Sequence, residues 1–163
     1  MLATGKRRIA FAAAQMDART LERLGGWRFE MQQAGLHNAQ LEWLNHAPSS
    51  LALGSQMLAE ILAHNAPNSP PVDAVFFCND DLAQGALLAA QRMGIPVPQR
   101  VAIAGFNDLT GSDQMCPPLT TIRTPRSEIG DAAARMLLSL MAGEPVAQPC
   151  VDVGYKLVVR GSA

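Results

Sequence analysis

The 163-residue sequence is 48% apolar and 17% charged, with a formal net charge of −1 at pH 7. This composition is that of a globular domain with its own core, and it excludes a disordered chain. The near-neutral charge argues against a basic face that could hold duplex DNA by its phosphates, and no stretch has the length of an apolar membrane span. The first residues lack the apolar core of a secretory signal, so we expect a cytoplasmic protein.

Short apolar runs alternate along the chain with stretches of helical periodicity. The apolar runs predict five strands, at residues 8–14, 40–45, 74–78, 101–106 and 119–122, and those at 8–14 and 74–78 are predicted to be buried. Helical periodicity predicts four helices, at residues 21–34, 50–62, 82–93 and 124–141. Residues 65–71 are predicted to form a loop, and residues 151–159 to be extended.

The alternation predicts a three-layer α/β/α fold with a parallel sheet and right-handed crossovers. We expect the flavodoxin-like strand order 2-1-3-4-5. The first three helices should turn stripes of apolar residues to this sheet, among them Leu21, Leu51 and Met93. Thr124 is predicted to cap the last helix, with Pro125 as its first residue.

Polar residues follow the predicted strands at the points where these strands end, and Arg126 stands at the start of the last helix. They are Asp17, Arg19, Arg23, Ser49, Asn79, Asp80, Asn107, Asp108 and Arg126. In an open α/β sheet the carboxyl ends of the strands form one edge, which is where ligands bind. Two simpler interpretations remain open: Asn79 and its acidic neighbours only cap a helix, and Arg19 and Arg23 are only a solvated pair.

The residue types at this edge favour a hydroxyl-rich ligand that carries a negative charge. The planar fork of arginine grips a carboxylate or a phosphate through two hydrogen bonds. Asp and Asn side chains bind hydroxyl groups. A sugar acid or a sugar phosphate fits this inventory.

Sequence patterns typical of enzymes and metal sites are missing. The chain has no GxSxG, HExxH, P-loop or GxGxxG motif, and its three cysteines and three histidines are scattered. We therefore expect no cofactor and no catalytic site. Asp80, Asp81 and Asp108 could together bind Mg²⁺, but the acidic pair that a phosphoacceptor domain carries after its first strand is missing.

Five sequence blocks occur in register: RLGGW at 23–27, FCNDDLAQG at 77–85, GIPVP at 94–98, VAIAGFND at 101–108 and PLTTI at 118–122. Together they resemble the effector-binding core of the LacI/GalR-type (lactose-repressor-like) transcriptional regulators, which share the periplasmic sugar-binding-protein fold. The resemblance runs from about Lys6 to the C-terminus. It implies a cleft between two α/β subdomains, where a bound effector changes operator affinity, and an N-terminal helix-turn-helix domain that binds DNA.

The resemblance also implies roles for single residues. Arg23 and Asn79 correspond to positions that contact the effector in the family, with Asp80 beside them. The GFDD or GFDN block of the family usually places aspartate first, whereas here Asn107 comes first and Asp108 second. This exchange removes a charge from a position that grips hydroxyl groups.

Two further positions bear on the ligand. Ser49 stands where relatives often carry an aromatic residue, so we expect no stacking wall there. The segment RTPRSEIG at 123–130 is similar to members that govern gluconate use, and Arg126 replaces an aromatic residue of sugar-responsive relatives. The resemblance thus implies gluconate or a close sugar acid as the effector.

By the same comparison, the chain starts about halfway through a complete regulator. Residues 1–124 then form the C-terminal subdomain, residues 125–157 form a helix and a strand that complete the other subdomain, and the DNA-binding domain is absent. The helix at 124–141 should have an unmet apolar face, so we expect it to pack on a second copy of the chain in a homodimer or to be displaced. The alternative functions are a transport-type sugar-binding protein and a Mg²⁺-dependent enzyme of flavodoxin-like fold.

Overall fold

The computed structural model describes residues 1–64, 70–146 and 148–163. In chain order the main elements are β1 (Ile9–Ala13), α1 (Ala18–Gln33), β2 (Glu42–Leu44), α2 (Leu51–Ala63), β3 (Ala74–Phe77), α3 (Asp80–Arg92), β4 (Ala102–Asn107), β5 (Thr120–Arg123), α4 (Arg126–Met141) and β6 (Lys156–Val158). Most of the loop predicted at 65–71 lies outside the described residues.

The strands form one mixed sheet in the order β2-β1-β3-β4-β5-β6. Strands β1 to β5 pair in parallel, which confirms the α/β fold and the order 2-1-3-4-5. Strand β6 pairs antiparallel with β5, with Lys156 opposite Arg123. The predicted boundary at residue 157 therefore falls inside a strand of this sheet.

Strand β1 is the centre of the core, and each of its five residues is at most 4% exposed. A strand with parallel neighbours on both sides and helices over both faces needs apolar side chains throughout, which explains its unbroken run of Ile, Ala and Phe. Phe11 packs on one face against Trp27 of α1, with ring centroids 6.0 Å apart. Right-handed crossovers place α2 and α3 on the opposite face.

Helices α2 and α3 cross at two glycines, which let their backbones touch. A Cβ atom added to Gly54 would overlap the carbonyl oxygen of Leu82, and one added to Gly85 would overlap that of Leu51. This close approach holds α3 tightly against α2.

The predicted buried stripes are wrong at three positions, because Leu21, Leu51 and Met93 are each about half exposed. Leu21 and Leu51 lie in the first turns of their helices, and Met93 is the residue that follows α3. The predicted cap of α4 is also wrong: Pro125 occupies the cap position, with no side-chain hydrogen bond to the helix. No residue of α4 is buried in this structure.

Candidate functional site

The carboxyl ends of β1 to β4 meet at one edge of the sheet, which we call the carboxyl edge. Side chains link the segments there: Arg23 of α1 reaches the end of β3, and Ser49 from the β2–α2 loop reaches Asn79. Arg126 of α4 reaches the backbone after β4. Arg23, Arg126 and the Ser49–Asn79 pair are thus hydrogen-bonded across segments that are distant in sequence.

Arg23 is held from two directions. Its Nη1 donates a 2.9 Å hydrogen bond to the carbonyl oxygen of Cys78, and its Cζ lies 4.0 Å from the centroid of the Phe106 ring. Burial lowers the pKa of the Arg23 guanidinium below its usual value, but an arginine remains charged at any pH where the protein folds. Arg23 is therefore a partly desolvated cation at the carboxyl edge.

Asp17 and Arg19 form a local pair at the start of α1. Asp17 Oδ1 accepts from the Thr20 N–H at 2.9 Å and so caps the helix, while Oδ2 accepts from Arg19 Nη2 at 2.7 Å. The hydrogen bond from Arg19 lowers the pKa of Asp17 to about 2. Arg19 is 81% exposed, so this pair is open to solvent and can exchange partners easily.

Ser49 and Asn79 form a partly buried pair between the ends of β2 and β3. Ser49 Oγ donates to Asn79 Oδ1 at 3.0 Å, and the same oxygen accepts from the Leu82 N–H at 3.2 Å. Asn79 is thus the N-cap of α3, as the helix-capping interpretation predicts. With Oδ1 engaged, Nδ2 is the group of Asn79 that remains to donate to a ligand.

Asp80 does not line the carboxyl edge. Its side chain is 0% exposed, and it accepts hydrogen bonds from Thr121 Oγ1 at 2.6 Å, Leu109 N at 2.7 Å and Ser112 Oγ at 3.0 Å. Burial raises the pKa of this carboxyl, although these donors partly offset the effect. The expectation that Asp80 contacts a ligand is therefore not met, and its carboxylate instead ties α3 to β5 and the β4–β5 loop.

Asn107 and Asp108 have positive φ angles of 110° and 51°. Such backbone angles are unfavourable for non-glycine residues, and they concentrate at functional sites. The adjacent Leu109 N–H to Asp80 bond and a 3.4 Å bond from Asp108 N to Thr121 Oγ1 hold the turn. Hydrogen bonds to Asp80 and Thr121 thus hold the backbone that directly follows Asn107.

Asp108 gathers arginines at the end of β4. Its carboxylate accepts from Arg123 Nε at 2.6 Å and Arg160 Nη2 at 2.8 Å, and Arg126 Nη2 donates to its backbone oxygen at 3.3 Å. Burial raises the pKa of Asp108, but the two ion-paired arginines outweigh it, so the pKa is lowered. Three guanidinium groups around one carboxylate leave an excess of positive charge here.

Phe106, Arg123 and Arg160 take part in this arrangement but are missing from the sequence-based prediction. Phe106 and Arg123 lie within or beside blocks that carry the family resemblance, so proximity in sequence could have suggested them. Arg160 comes 52 residues after Asp108 and is brought there by the antiparallel pairing of β6. No local pattern indicates that contact.

Metal ligands do not cluster in the described part of the chain. Within residues 1–64, 70–146 and 148–163, no group of three His, Cys, Asp or Glu side chains could hold a metal ion. Asp80 and Asp108, which the Mg²⁺ interpretation requires, are engaged by hydroxyl groups, a backbone N–H and arginines. None of the helices described is long and apolar enough to cross a bilayer.

Comparisons with known proteins agree with this architecture. The model of the periplasmic binding protein-like domain family matches residues 1–163. The chain is 51% identical over 162 residues to the HTH-type transcriptional regulator GntR of Pseudomonas aeruginosa, covering 99% of this chain and 46% of that protein. The chain therefore spans about half the length of the curated relatives it matches.

Solved structures of transcriptional regulators also match nearly the whole chain. The transcription regulator GntR from Chromobacterium violaceum has a TM-score of 0.93 at 49% identity, over 99% of this chain and 58% of that one. The complex of the regulator CelR with cellobiose has a TM-score of 0.87 at 31% identity, over 99% of this chain and 48% of that one. These relatives are named as transcriptional regulators and not as enzymes. The chain belongs to the periplasmic binding protein-like domain family, and over nearly its whole length it is similar to part of the LacI-family, GntR-like transcriptional regulators.

Proposed function

We propose that this chain is the ligand-sensing part of a transcriptional repressor and binds a sugar acid, such as gluconate, at its carboxyl edge. Binding would change the operator affinity of the longer protein, whose DNA contacts lie outside these residues. The proposed site comprises Asp17, Arg19, Arg23, Ser49, Asn79, Asn107, Asp108 and Arg126. Asp80 is buried beneath these residues and accepts a hydrogen bond from Leu109 in the turn after β4.

The proposal rests on the presence of two arginines, Arg23 and Arg126, at the same edge as amide groups that can bind hydroxyls. Arg23 is half-buried and uses one N–H donor on Cys78, which leaves further donors for an anion. Arg126 is exposed beside a cluster with surplus positive charge. Asn79 and Asn107 supply amide groups suited to hydroxyls. A neutral sugar would bring no negative group to pair with these arginines.

The comparisons support the class of ligand. One relative of known structure is a regulator in complex with cellobiose, so a carbohydrate effector is compatible with this fold. The resemblance of residues 123–130 to regulators of gluconate use favours an acid over a neutral sugar. An acidic carbohydrate would also match Arg23 and Arg126 at the carboxyl edge.

The segment after β5 would belong largely to a second subdomain. Residues 1–124 would form the C-terminal subdomain, and most of residues 125–157 would complete a second subdomain supplied by the longer protein. The exposed apolar face of α4 would then pack on a second copy of the chain, in a homodimer, when that subdomain is missing. A regulator of operator DNA would act in the cytoplasm.

The alternatives predict different ligands. A transport-type binding protein would bind a sugar without any link to DNA, and the relatives found are regulators instead. A Mg²⁺-dependent enzyme would need carboxylates free to bind the ion, whereas Asp80 and Asp108 are engaged.

Titration calorimetry tests the proposal with four probes: gluconate, galactonate, glucose and Mg²⁺. We expect heat from the acids, little from glucose and none from Mg²⁺. Arg126→Ala should weaken gluconate binding without changing the unfolding midpoint, and Arg135→Ala, in α4 but away from the edge, is the matched control. Tight Mg²⁺ binding, or equal affinity for glucose and gluconate, would contradict the proposal.

A further inference from the structure

The ring of Phe106 and the guanidinium of Arg23 form a stacked pair between β4 and α1. The Arg23 Cζ lies 4.0 Å from the ring centroid, well inside the distance at which an aromatic face attracts a cation. The Cys78 carbonyl accepts from Nη1 at 2.9 Å from a third element, the end of β3. The Arg23 guanidinium is therefore held by a ring contact at Cζ and a hydrogen bond at Nη1.

A fixed arginine binds anions better than a free one. The side chain of an unrestrained arginine loses much rotamer freedom when it grips a carboxylate, and that loss weakens binding. A guanidinium that is already oriented loses less, and its partial burial strengthens its attraction to a negative group. Phe106 restricts Arg23 through the contact of its ring with Cζ, while Nη1 donates to Cys78, so the other N–H groups of the guanidinium can donate to an anion.

The position of Phe106 in β4 suits this role. Phe106 immediately precedes Asn107 at the end of the strand, and it also lines a groove of about 720 Å³ with Trp27 and Tyr155. A residue that only closed this apolar groove could be replaced by leucine. A residue that orients Arg23 needs an aromatic face, so the two roles respond differently to substitution.

We propose that Phe106 is a positioning residue, which holds the Arg23 guanidinium so that its free N–H donors meet the acidic group of the ligand. This inference rests on the proposed function, and it makes Phe106 a determinant of preference for acids over neutral sugars. Phe106 itself would act through Arg23 and not by contact with the acid.

The test compares Phe106→Leu with Phe106→Tyr, which keeps the aromatic face. We expect Phe106→Leu to weaken gluconate binding about 5-fold, the range for loss of one cation–π contact, with little change for glucose. Phe106→Tyr should restore affinity to within about 2-fold of the unmodified chain. In an Arg23→Ala background, Phe106→Leu should have no further effect on gluconate binding, because the group it positions is gone.

The outcomes separate this inference from the proposed function. Equal gluconate affinities for the unmodified chain and Phe106→Leu would overturn the inference alone. If the unmodified chain binds no sugar acid, the proposed function fails, and the positioning of Arg23 is then measured without ligand by the NMR exchange rate of its guanidinium N–H protons. We expect faster exchange in Phe106→Leu but not in Phe106→Tyr, and equal rates in all three proteins would overturn the positioning role. Unfolding midpoints within a few degrees of each other exclude misfolding as the cause.

Discussion

The hydroxyl of Ser49 donates a 3.0 Å hydrogen bond to Oδ1 of Asn79, and this bond joins the ends of β2 and β3. The same oxygen caps α3 through Leu82 N–H, so one side chain serves both the fold and the candidate site. Substitutions at Asn79 can separate these two roles, because aspartate keeps the capping oxygen and loses the amide donor.

Asn79→Ala should lower the free energy of unfolding by about 1 kcal/mol through loss of the cap, and it should also abolish gluconate binding. Asn79→Asp should unfold at nearly the same denaturant concentration as the unmodified chain, but it places a negative charge where an acid must bind. Urea unfolding and calorimetry check the two effects. If Asn79→Asp binds gluconate as tightly as the unmodified chain, the amide group of Asn79 does not contact the ligand.

The glycines at the α2–α3 crossing give a prediction about stability. Gly85→Ala should lower the free energy of unfolding by about 2–3 kcal/mol, because the added methyl group overlaps the backbone of Leu51 and forces the helices apart. Gly25→Ala is the matched control: it lies within α1, a Cβ there meets nothing within 4 Å, and it should stabilise the protein by up to about 1 kcal/mol. Equal effects at the two sites would contradict the tight crossing.

The ion pairs of Asp108 predict a dependence on pH. The pKa of Asp108 is lower in the folded protein than its ordinary value of 3.8, so the stabilisation it gives is complete above that pH and is lost as the pH falls through the lowered pKa. Asp108→Asn should destabilise the protein by about 2 kcal/mol at pH 7, since it leaves the largely buried Arg160 without its carboxylate.

The difference in unfolding free energy between the unmodified chain and Asp108→Asn should therefore shrink below pH 3.8. Urea unfolding at pH 7, 4.5 and 3 measures it, with Asp113→Asn as an exposed control. If this difference stays constant over the pH range, the negative charge of Asp108 does not contribute to stability through its arginine partners.

The exposed apolar residues of α4 predict self-association. Ile129, Leu137 and Leu140 are each at least 45% exposed, and such a surface is rarely left in water. We expect a concentration-dependent dimer in analytical ultracentrifugation, and Leu137→Glu should shift it to monomer. Ser139→Glu is the control. A monomer at all concentrations, with α4 still exposed, would contradict this prediction.

The centre of the sheet could be predicted from sequence because strands such as Ile9–Ala13 and Ala74–Phe77 are short, unbroken apolar runs. Burial near the helix ends was harder to predict, since a periodic apolar stripe does not show which of its residues the folded chain covers. Leu21 and Met93 continue the apolar pattern of their helices and yet are about half exposed.

The place of a residue in the fold is easiest to predict where that residue directly follows a strand. Asn79 fits that pattern, and its role as a cap follows from residue type alone. Asp80 shows the limit, because an acidic residue in a first helical turn normally faces water. Its burial depends on donors 32 and 41 residues away, Ser112 and Thr121, whose proximity only the folded chain reveals. The Arg160 contact with Asp108 is equally non-local.

The central claim is that distant segments form one binding site for a hydroxyl-rich acid, and NMR titration of the isotope-labelled chain tests it most directly. Gluconate should shift the amide or side-chain signals of Arg23, Asn79, Asn107 and Arg126 together, with one common affinity, while sorbitol and sodium chloride at equal concentration leave them unchanged. Shifts that fit different affinities at these residues, or that sorbitol reproduces in full, would contradict a single acid-binding site at the carboxyl edge.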